Sequence, residues 1–259
     1  YVEEHNLQRQ SLYTEADIGQ AKAVAALDHL QAINHEVAVV SHVTDLYYEN
    51  VHLLKGDVIV DGTDNMETRF LINEYCQKNR IPWVYGSGIR DEGYVKAFLS
   101  SKECFRCLFA PVSGLETCDT SGVVNSLTHV IASFQVSFVL QILLGKKVSQ
   151  DLFHINVWKP SFEPLTVKKK SSCPVCKGTY DFLSGKQRQA LIKFCGSSHY
   201  QIRGQPVSLH LLEKRLKGST LSQGCLRFGP LTIFADGRVL VQAQSEAEAL
   251  RLYREYIGN

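Results

Sequence analysis

Two Cys-x-x-Cys pairs, Cys104-Phe-Arg-Cys107 and Cys173-Pro-Val-Cys176, constrain the folding of this chain most tightly. A tight turn brings residues i and i+3 together, so each pair can place two thiolates on one ion. Two such knuckles complete a tetrahedral S₄ site, the preferred structural arrangement for Zn²⁺. Four protein ligands leave no open coordination position, which marks the metal as structural. The 65 residues between Cys107 and Cys173 exceed the span of a compact zinc ribbon, so the ion would staple distant segments. Unrelated pairs, redox dithiols and an iron–sulfur cluster are the alternatives that the ligand types leave open.

The chain around these knuckles is of ordinary globular composition. Its 259 residues are 44% hydrophobic and 21% charged, enough for one large α/β domain or a medium domain with an appendage. Twenty-eight basic against 26 acidic residues give a net charge of +2, too balanced for a general nucleic-acid or membrane-surface binder. The first residues, Tyr1-Val-Glu-Glu-His-Asn, show no signal-peptide pattern, so a cytoplasmic location with reduced thiols is expected. The stretch 120–145 lacks Asp, Glu, Lys and Arg and is long enough to cross a bilayer. Asn125, Ser126, Thr128, His129, Ser133, Gln135, Ser137 and Gln141 interrupt it throughout, which favours a buried or subunit-interface helix over a membrane span. Cys76, Cys195 and Cys225 lie in apolar runs and read as small core residues.

The first half alternates helix and strand. Helices are expected over 21–34, 47–54 and 66–78, and strands over 35–41, 57–61, 83–88 and 93–99. On a helical wheel the first helix gathers Ala23, Ala26, Leu27, Leu30 and Ile33 on one face. Further strands are expected at 153–158 and 165–168. The composition shifts near Gly178, and a boundary is expected around 179–186. The tail then reads as small α+β: strands at 190–194 and 200–203, a helix over 208–216, three more strands up to Val241 and a helix over 246–256. Asp236-Gly237 supplies the positive φ of a tight hairpin turn.

Thr63-Asp64-Asn65 follows the buried strand 57–61, at the sheet edge that lines the ligand crevice of an open α/β fold. A carboxylate there can hold Mg²⁺, and any of the three can equally cap the next helix. In order along the chain come His5-Asn6-Leu7-Gln8-Arg9-Gln10, Asp17-Ile-Gly-Gln-Ala-Lys22-Ala, Asp61-Gly-Thr-Asp64-Asn65, Cys104-Phe-Arg-Cys107-Leu-Phe and Thr117-Cys118-Asp-Thr-Ser-Gly-Val. This ordered set resembles the ThiF/MoeB/HesA adenylyltransferases, bacterial relatives of ubiquitin-activating enzymes, and within them the thiamine-pathway branch. The resemblance covers residues 1 to about 177, and the tail from about Lys186 resembles an extension seen on some members.

The resemblance implies an α/β fold: a Rossmann-like, mostly parallel sheet with structural zinc over 1–180, and a small α+β domain over 186–259. It implies an enzyme that binds ATP and Mg²⁺ and adenylylates the C-terminal Gly-Gly carboxylate of a small ubiquitin-like sulfur carrier, of ThiS or MoaD type. Arg9 and Lys22 match the family's triphosphate-contacting cations, Asp64 its Mg²⁺ aspartate, and Asn6 its nucleotide-contacting asparagine; Gln10 and Asn65 complete the expected ATP site. Cys104, Cys107, Cys173 and Cys176 match the zinc ligands. Cys118 stands where members carry a sulfur-transfer cysteine; a loop thiol without a role is the alternative. A homodimer and a cysteine desulfurase partner are implied as well.

Some family features are missing. No G-x-G-x-x-G occurs, and Tyr1 falls just after the expected second strand, so a first βαβ unit of roughly 60–70 residues is expected to be missing from this stretch. A polypeptide truly beginning at Tyr1 is expected to adenylate poorly. A non-catalytic carrier-binding scaffold and an oxidoreductase are the competing readings. Arg9, Lys22 and Asp64 argue against the scaffold, and the knuckles with the lack of a nicotinamide fingerprint argue against the oxidoreductase.

Overall fold

The computed structural model describes residues 1–99, 102–111, 121–187, 191–193, 199–222 and 224–258. They form two compact units, one comprising Tyr1–Asp45 and Gln189–Asn259, the other Leu46–Arg188.

The first unit begins with two 3₁₀ turns, Glu4–Asn6 and Glu15–Asp17, followed by helix α1, Lys22–Ile33. Thr14 and Asp17 form a capping box, and His29 Nε2 lies 2.8 Å from the Asp17 carboxylate, tying α1 back to that turn. The buried face of α1 differs from the expected one. Ala21 and Ala25 are buried while Leu30 and Ile33 are exposed. The helix docks through small residues that let backbones approach, and counting large apolar positions misses such a face. Residues 35–43 carry no regular structure, contrary to the strand expected at 35–41, and Val37, Val40 and Val43 are exposed. A strand needs a paired neighbour for its backbone groups, and the described residues supply none here.

The second unit holds β1 (Ile59–Val60), α2 (Met66–Asn79), β2 (Trp83–Ile89), β3 (Glu92–Phe98), α3 (Phe105–Leu108), α4 (Asn125–Leu143), β4 (Leu152–Asn156) and β5 (Ser161–Leu165). The expected helix at 47–54 shrinks to a 3₁₀ turn, Val51–Leu53. Asn50 Oδ1 accepts the Tyr47 N–H at 2.8 Å, a local bond that competes with helix. The final strand lies at 161–165, ahead of the expected 165–168.

Strand order is β1-β2-β3-β4-β5. The expectation of a mostly parallel sheet is corrected: β1 pairs parallel with β2, whereas β2–β3, β3–β4 and β4–β5 are antiparallel. The reason is local. Only Arg90 and Asp91 join β2 to β3, and a two-residue connection can only make a hairpin. Arg90 takes φ +53, the left-handed conformation such a turn requires. The sheet is therefore mixed, with a parallel pair where β1 meets β2.

Period-2 alternation sorts β2 and β3 onto two covered faces. Trp83, Tyr85 and Phe98 pack with Phe70 of α2 and with Phe105. Val84, Val95 and Ala97 pack with Leu127, Ile131 and Phe138 of α4. Helix α4 is long and apolar enough to cross a membrane by length and composition, yet it lies along this sheet. Gln135 on its buried face donates to the backbone carbonyls of Asp61 (2.8 Å) and Val84 (3.2 Å). A Cβ on Gly86 would sit 2.7 Å from the Gln135 side chain, so glycine on β2 is what lets α4 come this close.

The tail contributes β6 (Leu191–Lys193), β7 (His199–Arg203), α5 (Leu209–Arg215), β8 (Thr220–Ser222), β9 (Cys225–Phe228), β10 (Leu231–Phe234), β11 (Arg238–Gln242) and α6 (Glu246–Tyr256). All its strand pairs are antiparallel, in the order β6-β7-β11-β10-β9-β8. Ile202, Leu226, Leu231, Ile233, Val239 and Val241 form the core with Leu212 of α5 and Ala249 of α6. Gly237 turns the β10–β11 hairpin at φ +85, as Asp236-Gly237 predicts.

Candidate active site and metal centre

The four knuckle cysteines converge. Cys104 precedes α3, Cys107 lies within it, Cys173 precedes the 3₁₀ turn Val175–Lys177, and Cys176 lies within that turn. All four Sγ atoms lie within 4.8 Å of one another. Cys104–Cys107 is 3.9 Å, while Cys104–Cys173, Cys107–Cys176 and Cys104–Cys176 are each 3.6 Å. These spacings are far too long for disulfides. They match the edge of a tetrahedron with metal–sulfur bonds of about 2.3 Å, which is about 3.8 Å. Burial pushes the Cys104 thiol well up and that of Cys176 up to about 11. Cys107 is held low, against its burial, by backbone N–H donors. A cation at the centre would remove the conflict between close packing and ionisation. Asn73 of α2 fixes the first knuckle, its Oδ1 accepting the Phe105 N–H at 2.9 Å.

The second cluster lies at the end of β1. Asp61 is 1% exposed. Its carboxylate accepts from Arg69 Nε at 3.0 Å and from the Thr63 N–H and hydroxyl at 2.8 and 2.7 Å. The Arg69 guanidinium also donates to the carbonyls of Thr63 and Gly86 and lies over the Tyr85 ring. Burial raises the Asp61 pKa, opposed by Arg69 and the Thr63 donors. The loop entering α2 is thus held on both sides. It presents Asp64 exposed, while Asn65 caps α2 by accepting the Thr68 N–H at 2.8 Å. The capping alternative is therefore the one Asn65 adopts in this structure. Asp61 and Arg69 were not among the expected site residues. Their signal was a lone arginine beside Phe70, Leu71 and Ile72, eight residues after a strand-terminal aspartate.

The other residues expected to contact ATP belong to the first unit. Asn6 is buried, and its carbonyl accepts the N–H groups of Arg9 (3.0 Å) and Gln10 (2.9 Å), so one turn carries all three. The side-chain oxygens of Asn6 and Gln10 are buried without a partner among the described residues. Buried acceptors without donors mark a place where a ligand donor fits. Arg9 Nη1 donates to the His5 carbonyl at 2.9 Å, and Lys22 opens α1. Asn6, Arg9, Gln10 and Lys22 thus sit in one unit, and Asp64, Asn65 and the four cysteines in the other. Cys118 lies outside the described residues. The chain after it rejoins the β2–β3 turn, where Arg90 N–H donates to Gly122 O (2.8 Å) and Val124 N–H to Arg90 O (2.7 Å).

Comparison with known proteins places the chain in a family. The sequence profile of the ThiF family matches residues 1–175, which contain the N-terminal turn, the Asp64 loop and both cysteines of the first knuckle. The chain belongs to the ThiF family. The sulfur carrier protein ThiS adenylyltransferase of Bacillus subtilis is 33% identical over 281 aligned positions, covering 100% of this chain and 83% of that protein. A sulfur carrier protein adenylyltransferase of Thermus thermophilus is 35% identical over 188 positions, covering 68% of this chain and 69% of that one. Among solved structures, Escherichia coli MccB with ATP superposes at a TM-score of 0.57 and 18% identity, over 68% of this chain and 56% of MccB. That similarity supports the ThiF-like fold of the matched part.

Proposed function

We propose that this ThiF-family chain adenylylates the C-terminal Gly-Gly carboxylate of a small ubiquitin-like sulfur carrier of ThiS type. The carrying observation is the similarity to the ThiS adenylyltransferase, which runs through the tail as well as the family region. In the reaction a carboxylate oxygen attacks the α-phosphorus of ATP. The bond to the bridging oxygen breaks, pyrophosphate leaves, and the carrier ends as an acyl-adenylate ready for sulfur transfer in thiazole synthesis.

Each residue has a task in this reading. Arg9 and Lys22 offset the charge that builds on the phosphates. Asn6 and Gln10 offer buried acceptors to the nucleotide. Asp64, presented by the Asp61–Arg69 lock, would hold Mg²⁺, which supplies charge neutralisation on the triphosphate. Asn65 shapes the same loop through its cap. The four thiolates would hold Zn²⁺ as a structural ion; their spacing supports that choice. Cys118 is assigned to sulfur transfer. The functional division is 1–180 for the adenylyltransferase region and 186–259 for the tail. A homodimer, a cysteine desulfurase as partner and a cytoplasmic location complete the reading. The test is to mix the full-length protein with MgATP and a ThiS-type or MoaD-type carrier. Mass spectrometry should find the ThiS-type carrier heavier by one AMP moiety. Modification of the MoaD-type carrier alone would replace the thiamine assignment, and of neither would refute the activity.

A further inference from the structure

The tail sheet has helices on one face, which leaves the other face to be explained. Strand alternation places Gln201, Arg203, Arg227, Phe234 and Arg238 on that second face. Gln201 and the Arg203 side chain are buried there and need partners, while Arg227 lies at the exposed side of the same face. Within the same unit, the N-terminal segment supplies them. Arg203, whose side chain is 6% exposed, donates through Nε to the Asp45 carboxylate at 2.7 Å. Gln201 donates to the same oxygen at 3.2 Å. Arg227 donates to the Gly19 carbonyl at 3.3 Å and lies over the Tyr1 ring, which stacks on Phe234 at 5.7 Å.

These anchors bracket α1. Gly19 stands three residues before Lys22, the first residue of the helix, and Asp45 closes the segment after it. The Gly19 turn also holds the chain that leads to Asn6 and Arg9: Gly19 N–H donates to Val2 O, and Val2 N–H to Gln20 O, each at 2.9 Å. Of the two anchors, the charge-assisted Arg203–Asp45 bond lies at low exposure and resists solvent screening better than a surface pair does, whereas the Arg227–Gly19 contact is exposed. Cations held in place before a phosphate arrives spare the site the ordering cost at binding.

We propose that the tail is a clamp on the nucleotide-contacting segment, with Arg203 and Arg227 as positioning residues that act on Lys22 and Arg9 through Asp45 and Gly19. The proposal rests on the adenylylation reading for its consequence and on the contacts alone for the clamp itself.

The experiment makes R203A and R227A in the full-length protein and reads two quantities. Hydrogen exchange should quicken at residues 14–24 and 41–45 while residues 231–241 of the tail keep their protection. In ATP–pyrophosphate exchange, KM for ATP should rise about tenfold with kcat falling less than about threefold, as expected when ground-state positioning is lost. Exchanging the partners, R203D with D45R, should restore both. If R203A fails to fold, D45N breaks the same bond from the other side and should give the same pattern. Unchanged protection at 14–24 and 41–45, or an unchanged KM for ATP, overturns the clamp. A full-length protein without exchange activity overturns the adenylylation reading instead, and the hydrogen-exchange arm still decides the clamp.

Discussion

Replacing Arg69 by Met removes one half of a buried ion pair and keeps most of the side-chain volume. Arg69 and Asp61 are 11% and 0% exposed at their side chains, 3.0 Å apart. Arg69 also satisfies the Thr63 and Gly86 carbonyls. Taking away one partner of a buried pair costs about 3–5 kcal/mol, because the other charge stays buried and uncompensated. Arg69→Met should therefore destabilise the unit by about 4 kcal/mol at neutral pH. The sign of the pH dependence follows from Asp61. Burial already raises its pKa above the ordinary 3.8, and loss of Arg69 raises it further. A raised carboxylate pKa favours the folded state below its unfolded value, and that contribution is lost as pH rises through the folded value. The penalty of Arg69→Met should thus shrink toward acid pH, where Asp61 takes up a proton. Adding Asp61→Asn should recover about half of it. Urea unfolding followed by Trp83 fluorescence reports this unit directly, since Trp83 is fully buried in it. A loss under about 1 kcal/mol, or one that does not shrink at all toward acid pH, would refute the reasoning.

Other consequences can be checked in parallel. Asp64→Ala should abolish Mg²⁺-dependent ATP–pyrophosphate exchange while leaving the melting temperature within a few degrees, because Asp64 is exposed and the loop is held by Asp61; undiminished exchange would remove it from the site. Cys104→Ser should release bound zinc, measured by a chromogenic chelator, and cost about 2–5 kcal/mol by uncoupling α3 from the turn at 175–177; full zinc content would contradict the S₄ assignment. Glu74 is buried, accepts the Leu183 N–H at 2.9 Å, and has its pKa raised by burial from 4.5 to about 7. Its stabilising contribution is therefore complete below about 4.5 and fades as pH rises through about 7. Thermal melts of Glu74→Gln should lose that slope between pH 4.5 and 7, and a variant with the same slope as the parent would show that Glu74 does not titrate there.

The sequence revealed some of this architecture and hid the rest for identifiable reasons. Helix α6 and the Gly237 hairpin were legible because a capping serine and a positive-φ glycine act locally. The cysteine cluster was legible because i, i+3 spacing fixes each half, and a metal needs both halves together. Sheet direction was not legible from alternation, since β2 and β3 look alike in either orientation; the two-residue Arg90-Asp91 connection was the informative feature. The strand expected at 35–41 has the right residues, but strands exist through neighbouring strands, and among the described residues no strand pairs with 35–41, where Val37 and Val40 are exposed. The Asp61–Arg69 lock was invisible for a related reason: it depends on α2 being laid against the end of β1, a tertiary fact. The grouping of residues 1–45 with the tail is equally non-local, carried by single contacts such as Asp45–Arg203 across 158 positions.

The central claim is that a carrier's terminal carboxylate attacks ATP at this site. Isotope exchange between labelled pyrophosphate and ATP, run with the full-length protein and a ThiS-type carrier, tests it most directly. Label should enter ATP when the carrier ends in Gly-Gly and Mg²⁺ is present, and should not when the terminal glycines are removed. Exchange that is indifferent to the carrier's C-terminus, or absent with an intact carrier, would contradict the account.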